Sequence, residues 1–211
     1  MGGMRISFVG MSNAGKTYWS KQLEKTGFKR YGCDDFIEAK LLPQLVKHGY
    51  KGTDGISRWM GQPYESHYIE ASKTYLKLEK EAMQHIFTLV KADLRNDTDR
   101  IVIDTTGSLI YLNRPILQTL NALTRVVCLD TPTSALTEMY TNYISDPKPV
   151  IWGNAFSKKA EETNLEALKR CYPELLNFRI QKYKKIVDIS LDYYLLRNNR
   201  YTTDHLLRDI A

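Results

Sequence analysis

Residues 10–17, which read Gly-Met-Ser-Asn-Ala-Gly-Lys-Thr, constrain the fold of this chain more than any other segment. They match G-x-x-x-x-G-K-[ST], a loop whose backbone N–H groups surround a phosphate. A β-type run, residues 5–9, precedes this phosphate loop, and a helical pattern, residues 17–25, follows it. Because a helix N-terminus attracts anions, this strand–loop–helix unit predicts a nucleoside-triphosphate site.

Each fixed position of the phosphate loop predicts a contact with the nucleotide. Lys16 would reach the β- and γ-phosphate oxygens, and the Thr17 hydroxyl would hold Mg²⁺. The residues predicted to bind the nucleotide are Gly10, Ser12, Asn13, Ala14, Gly15, Lys16, Thr17 and Tyr18.

Apolar β-type runs alternate with helical stretches along the whole chain. The runs cover residues 5–9, 100–104, 125–130 and 188–192, with a weaker one at 28–32. This alternation predicts a single α/β domain over residues 1–211, with three layers: a five-stranded parallel sheet flanked by helices. The uninterrupted hydrophobicity of residues 101–103 and 126–129 indicates strands buried on both faces.

Two segments interrupt this alternation. Residues 41–94 are predicted to form a helical, substrate-binding insertion, in which tyrosines at helical spacing favour a core stripe over stacking on a ring substrate. Residues 143–158 contain prolines and a glycine and are predicted to form a lid loop. Trp152 and Phe156 look exposed on that loop, and would either anchor it or contact a ligand.

Composition limits the partners. The 30 basic and 24 acidic side chains give a net charge of +6, which favours an anionic partner. The basic residues are scattered and no RNP-type motif or zinc finger is present, so a nucleic-acid partner is not favoured, although it stays open. No apolar run is long enough to cross a bilayer, so no membrane partner is expected. The three cysteines lack metal-site or disulfide spacing, and a cytoplasmic location is predicted.

Carboxylates at predicted strand ends favour phosphoryl transfer over nucleotide hydrolysis. The chain lacks the guanine-reading N-K-x-D motif of GTPases and the strand ending in Asp-Glu that is typical of ATPases. Instead, Asp104 ends the third strand, where it would hold Mg²⁺ through water. Gly107 would let the backbone approach a substrate. After the second strand, Asp35 is predicted to orient and deprotonate an acceptor hydroxyl. Asp34 would cap the following helix or support the metal. The predicted cofactors are therefore ATP and Mg²⁺.

This order of motifs resembles the shikimate-kinase-like small-molecule kinases of the nucleoside-monophosphate-kinase fold. In that family an Asp-x-Asp and an Ile-Glu follow the second strand, and residues 35–38, Asp-Phe-Ile-Glu, stand at nearly that place. Lys148 and Pro149 stand where the family has the Arg-Pro of its lid, which implies a catalytic role for Lys148. Arg179 and Tyr183 match an Arg-x-x-x-Tyr whose arginine binds the substrate carboxylate, which implies substrate binding by Arg179.

The chain departs from the family on the acceptor side. Residues 105–107, Thr-Thr-Gly, replace a Gly-Gly-Gly that holds shikimate, and the family's arginine after the insertion has no counterpart near Leu76 or Lys77. Residues 104–107 are instead similar to the Asp-x-x-Gly of nucleotide kinases. The sequence therefore predicts a small-molecule kinase that binds its acceptor through Asp34, Asp35, Gly107 and Arg179. A nucleoside, nucleotide or polynucleotide kinase and a non-catalytic ATP-binding protein are the alternatives.

Overall fold

Five strands form one parallel sheet in the computed structural model, which describes residues 3–96, 98–146 and 148–211. The strands are β1 (Arg5–Val9), β2 (Lys29–Gly32), β3 (Ile101–Asp104), β4 (Arg125–Leu129) and β5 (Ile189–Leu191). Their order across the sheet is β2-β3-β1-β4-β5, and every neighbouring pair is parallel. The predicted five-stranded parallel sheet is confirmed.

The central strands are buried on both faces. Ile101, Val102 and Ile103 are inaccessible to solvent, as are Val126 and Val127 on the other side of β1. Consecutive residues of a strand point to opposite faces, so such runs require a cover on each side. Helices provide it, which confirms the reading of these runs as fully buried strands.

Eight α-helices flank this sheet in the described part of the chain. They are α1 (Lys16–Lys25), α2 (Cys33–Lys47), α3 (Gly52–Met60), α4 (Tyr68–Arg95), α5 (Arg114–Leu123), α6 (Leu136–Ser145), α7 (Asn164–Tyr183) and α8 (Thr203–Ile210). None of the helices in the described ranges is both long and apolar enough to cross a membrane.

The stretch 41–94 contains the second half of α2, all of α3 and nearly all of α4. Tyr68 and Tyr75 on α4 are 6% and 3% exposed, in line with the core stripe expected from their spacing. Tyr64 lies before α4 and is 37% exposed. The helices of this stretch therefore pack as part of the domain core, and only some of their residues border the cleft described below.

The middle of the stretch 143–158 is fixed to the core. The Tyr68 hydroxyl binds the backbone of this stretch at two points. It donates to the Val150 carbonyl over 2.9 Å and accepts from the Trp152 N–H over 2.8 Å. Trp152, which looked exposed in the sequence, is 1% exposed, so that expectation is corrected and the side chain anchors the loop. Large aromatic side chains in loops are exposed or buried according to tertiary packing, which local polarity does not reveal. Pro147 lies outside the described residues.

Candidate active site

The phosphate loop connects β1 to α1 through a backbone path that suits glycine. Gly10 has φ +143° and Gly15 has φ +104°, while Asn13, at φ +63°, also lies in the left-handed region. A Cβ on Gly10 would come within 2.8 Å of the Leu129 carbonyl oxygen of β4. Both the dihedral angle and this close approach exclude larger residues, which explains the first glycine of the loop.

The N-terminus of α1 opens onto the loop. The helix begins at Lys16, directly after Gly15, and no side chain among the described residues caps it. The first N–H groups of an uncapped helix need acceptors, and they carry the positive end of the helix dipole. The loop and helix therefore present N–H groups that suit an anion, and the nucleotide site stays a prediction.

Lys16 lies at the centre of this predicted anion site. Its side chain is nearly buried, and the ammonium donates to the carbonyls of Gly10 over 3.0 Å and Met11 over 2.8 Å. Burial lowers the pKa of Lys16, while the nearby carboxylates of Asp104 and Asp34 act in the opposite direction. The ammonium is therefore held within the loop by two weak acceptors that a phosphate could replace.

A cleft of about 290 Å³ opens beside Lys16. On one side it is lined by the phosphate loop and the start of α1: Ser12, Asn13, Lys16 and Thr17. On the other side it is lined by residues from α2, α3, α4, the loop after β3 and the stretch after α6: Asp34, Thr53, Tyr75, Thr106, Gly107, Lys148 and Pro149. The structure thus brings together seven residues selected from sequence: Ser12, Asn13, Lys16, Thr17, Asp34, Gly107 and Lys148.

Of the two adjacent aspartates, Asp34 faces the cleft. Its Oδ1 accepts a hydrogen bond of 3.1 Å from the Tyr75 hydroxyl, and burial raises its pKa although Lys16 lies nearby. The side chain of Asp35 is 64% exposed and forms an ion pair of 2.8 Å with Arg30. Both belong to the first turn of α2, where neighbouring residues point about 100° apart, so only one of them reaches the cleft. Among the described residues, Asp34 therefore lines the cleft and Asp35 lies outside that lining. The role that the sequence assigns to Asp35 stays a prediction.

Asp104, predicted to support Mg²⁺, is already engaged by protein partners. Its Oδ2 accepts from Arg30 over 2.9 Å and from the Ser20 hydroxyl over 3.1 Å, and the side chain is 5% exposed. Arg30 reaches it because β2 and β3 are neighbours, with Gly32 beside Asp104 in register. Among the described residues, Asp34 is the carboxylate that lines the cleft. Asp104 ends β3, as predicted, near enough to Lys16 for its charge to act on the pKa of that lysine. Its support of Mg²⁺ stays a prediction.

The cleft fits a magnesium ion that arrives with a nucleotide. Mg²⁺ is usually bound through one or two protein groups plus phosphate oxygens. Thr17 lines the cleft and could provide one such group through its hydroxyl. Within the described ranges, no cluster of three or more His, Cys, Asp or Glu side chains could hold a metal by itself.

Gly107 places the loop after β3 against the phosphate loop. A Cβ there would lie 2.9 Å from Ser12 Oγ and 3.4 Å from Arg179 Nη1. Arg179 itself is 2% exposed and donates to the Ile151 carbonyl over 2.7 Å. It therefore lies behind Gly107, and it is not among the described residues that line the cleft, whereas the sequence predicts direct substrate contact.

Two other residues selected from the sequence, Lys148 and Tyr18, have surroundings that the sequence did not predict. Lys148 borders the cleft, but its ammonium is paired with Asp54 of α3 over 2.8 Å and with Asp146 over 2.9 Å. Tyr18, on the outer side of α1, is 58% exposed and packs edge-on against Trp19. It is absent from the cleft lining of the described chain.

A buried carboxylate beneath the acceptor side was missed in the sequence. Glu79 of α4 is inaccessible to solvent and accepts hydrogen bonds from the hydroxyls of Thr106 and Ser108, the latter over 2.6 Å. It lies four residues after Tyr75, so both project from one face of α4. An acidic residue on an otherwise apolar helix face was the available signal, because such a group is buried only with partners.

Glu79 makes the stability of the protein depend on pH. Burial raises its pKa to about 7 from 4.5, so the folded state binds a proton more tightly than the unfolded chain does. The contribution of this group is fully present below its unfolded pKa and is lost as pH rises through about 7. We expect the free energy of unfolding to decline across this window in the wild type, and to decline less in Glu79→Gln. Urea unfolding at a series of pH values measures this; equal slopes in both proteins would contradict it.

Comparison with known proteins identifies the fold. No protein-family model matches the chain, and no curated protein matches it in sequence. The structure is similar to a shikimate kinase from Acinetobacter baumannii in complex with shikimate, at 18% identity, with 98% of this chain and 90% of that chain covered and a TM-score of 0.59. A shikimate kinase from Bacteroides thetaiotaomicron matches at 15% identity, with 98% and 96% covered and a TM-score of 0.60. One from Aquifex aeolicus matches at 18%, with 98% and 96% covered and a TM-score of 0.52. The chain therefore has the α/β fold of shikimate kinases and related P-loop kinases.

Proposed function

We propose that this chain is an ATP-dependent phosphotransferase that moves the γ-phosphoryl group of MgATP to a hydroxyl of a small-molecule acceptor. One observation carries the proposal: Lys16 and Thr17 of the phosphate loop lie in the same cleft as Asp34. A triphosphate site and a carboxylate that can take a proton are the two parts that such a transfer needs.

The donor side would work mainly by positioning. The triphosphate would lie along the loop and the N-terminus of α1, with Lys16 released from its two carbonyl acceptors to the phosphate oxygens. Mg²⁺ held by Thr17 would neutralise charge on the phosphates when bound. A positive charge at this point is most useful in the transition state, where negative charge spreads over the oxygens of the transferring group.

The acceptor side would supply the base. As the acceptor oxygen bonds to the γ-phosphorus and the bond to the β–γ bridging oxygen breaks, Asp34 would take the hydroxyl proton and ADP would leave. Burial, which raises the pKa of Asp34, makes its carboxylate a better proton acceptor than an exposed one. The Tyr75 hydroxyl, 3.1 Å from Oδ1, would keep that carboxylate oriented.

Lys148 would hold the border of the cleft in place. Its ion pairs with Asp54 and Asp146 tie the stretch after α6 to α3. We propose that this connection closes the acceptor side and limits the entry of water, which protects a transferable phosphoryl group from hydrolysis.

The charges of the acceptor side favour an uncharged, polyhydroxylated acceptor. Thr53, Tyr75 and Thr106 contribute hydroxyls there, and the charged groups are Asp34 and the already paired Lys148. Apart from Lys16 beside the phosphate loop, the described lining offers a carboxylate or phosphate of the acceptor no unpaired cation, because Lys148 is paired and Arg179 is buried behind Gly107. A hydroxy acid such as shikimate is therefore less well matched than a neutral polyol or nucleoside.

A panel of acceptors grouped by charge tests this proposal. ADP release from MgATP is measured with neutral polyols and nucleosides, with hydroxy acids including shikimate, and with nucleoside monophosphates and oligonucleotides bearing a free 5′-hydroxyl. We expect acceptor-dependent ADP release with neutral compounds. Release stimulated by a nucleotide or an oligonucleotide would favour the nucleic-acid alternative, and ATP binding without any stimulation would favour a non-catalytic protein.

A further inference from the structure

We propose that Tyr183 is a positioning residue that links nucleotide binding in the phosphate loop to the acceptor-side loop, residues 105–108. The inference rests on the proposed function for the identity of the nucleotide. Tyr183 ends α7, is 2% exposed, and places its hydroxyl oxygen between two backbone carbonyls. That oxygen lies 3.0 Å from the Gly10 carbonyl oxygen of the phosphate loop and 2.7 Å from the Gly107 carbonyl oxygen of the acceptor-side loop.

A tyrosine hydroxyl carries one proton, so it can make a full hydrogen bond to only one of these carbonyls at a time. The shorter of the two distances is to Gly107, and the Gly10 carbonyl also accepts from Lys16 over 3.0 Å. The Gly10 carbonyl is therefore satisfied by Lys16, while Tyr183 is free to hold Gly107.

Nucleotide binding changes this distribution. When Lys16 moves to the phosphate oxygens, the buried Gly10 carbonyl loses its charged donor, and an unsatisfied buried carbonyl is costly. Tyr183 is the neighbouring donor, so its proton turns toward Gly10 and leaves the Gly107 carbonyl. The loop that borders the acceptor position is then released only when the donor site is filled.

The remainder of the acceptor-side loop is held independently, which confines the change to Gly107. Thr106 and Ser108 are bonded to Glu79, and the Thr105 hydroxyl donates to the Phe8 carbonyl over 2.7 Å. Gly107 lies between them, and among the described residues its carbonyl accepts a hydrogen bond from Tyr183. A local change of partner at this residue is thus expected, without rearrangement of the strands.

Amide hydrogen exchange of residues 104–112 tests the inference, with and without a non-hydrolysable MgATP analogue. The variants are Tyr183→Phe, which removes the hydroxyl, and Tyr172→Phe as the matched control. Tyr172 lies on the same helix, is also buried, and directs its hydroxyl to the Met139 carbonyl, away from the cleft. Thermal unfolding of each variant verifies that it is folded.

In the wild type and in Tyr172→Phe, we expect the analogue to increase exchange at Gly107 and Ser108 by about five-fold, because losing one hydrogen bond of ordinary net strength at the Gly107 carbonyl raises the opening equilibrium of this loop by about that factor. In Tyr183→Phe, exchange should be fast already and should not increase further. A purely structural role would leave exchange in the wild type unchanged by the analogue, although Tyr183→Phe exchanged faster. That result, or a nucleotide response in Tyr183→Phe equal to that of the wild type, would overturn the inference.

Calorimetry with the same analogue distinguishes this inference from the proposed function. If the analogue does not bind the wild type, the donor site and the linkage that depends on it are both refuted. If it binds and produces the Tyr183-dependent response, but no acceptor is phosphorylated, only the catalytic proposal fails. With an active acceptor, Tyr183→Phe should lower kcat several-fold while the KM for ATP stays nearly unchanged.

Discussion

Lys16→Ala should reduce phosphoryl transfer by about a hundred- to a thousand-fold, the usual loss when a single preorganised charge or donor is removed from a developing negative charge. Lys16 is the nearly buried ammonium at the base of the cleft, and no other lysine lies on the phosphate loop. Because the side chain makes two hydrogen bonds, the free energy of unfolding should fall by about 1–3 kcal/mol. Steady-state kinetics and urea unfolding measure the two effects separately.

Lys21→Ala is the matched control for this change. Lys21 lies on the same helix and is exposed, so its removal should leave turnover close to that of the wild type. If Lys16→Ala kept turnover within a few-fold of Lys21→Ala, the phosphate loop would not be the donor site.

Asp34→Asn should lower kcat by about a hundred- to ten-thousand-fold, the range that general-base catalysis usually contributes. An amide can still accept the hydrogen bond from Tyr75, but it cannot take a proton from the acceptor hydroxyl. Affinity for MgATP should stay close to that of the wild type, because the loop and α1 are unchanged. Transient kinetics with calorimetry on the nucleotide resolves the two quantities.

Asp35→Asn, at the neighbouring position, is the matched control for Asp34→Asn. Asp35 is mostly exposed and paired with Arg30. Its replacement should therefore lower the free energy of unfolding only slightly and leave kcat nearly unchanged. Opposite results, with Asp35→Asn inactive and Asp34→Asn active, would restore the residue favoured by sequence reasoning and would mean that α2 turns on substrate binding.

The sheet and the phosphate loop could be predicted because their signals are local. Residues 101–103 and 126–129 are continuous apolar runs, and the glycine spacing of residues 10–17 follows from backbone geometry that other residues cannot adopt. Such patterns need no knowledge of neighbouring elements, and all of these segments fold as predicted.

The finer placement of the site could not be predicted, because it depends on tertiary packing. The choice between Asp34 and Asp35 is set by the rotation of α2 about its axis, which neighbouring α4 fixes through Tyr75. Asp104 is paired with Arg30, which lies on a strand that is distant in sequence. Glu79 becomes part of the site only once α4 packs against the loop after β3.

The fate of the γ-phosphoryl group of labelled MgATP tests the central claim most directly. The wild type is incubated with the label and a fractionated extract of small neutral metabolites, and the products are separated into phosphate esters and inorganic phosphate. The account predicts a labelled phosphate ester that disappears in both Lys16→Ala and Asp34→Asn. Label found only as inorganic phosphate, or an ester formed equally by the two variants, would contradict it.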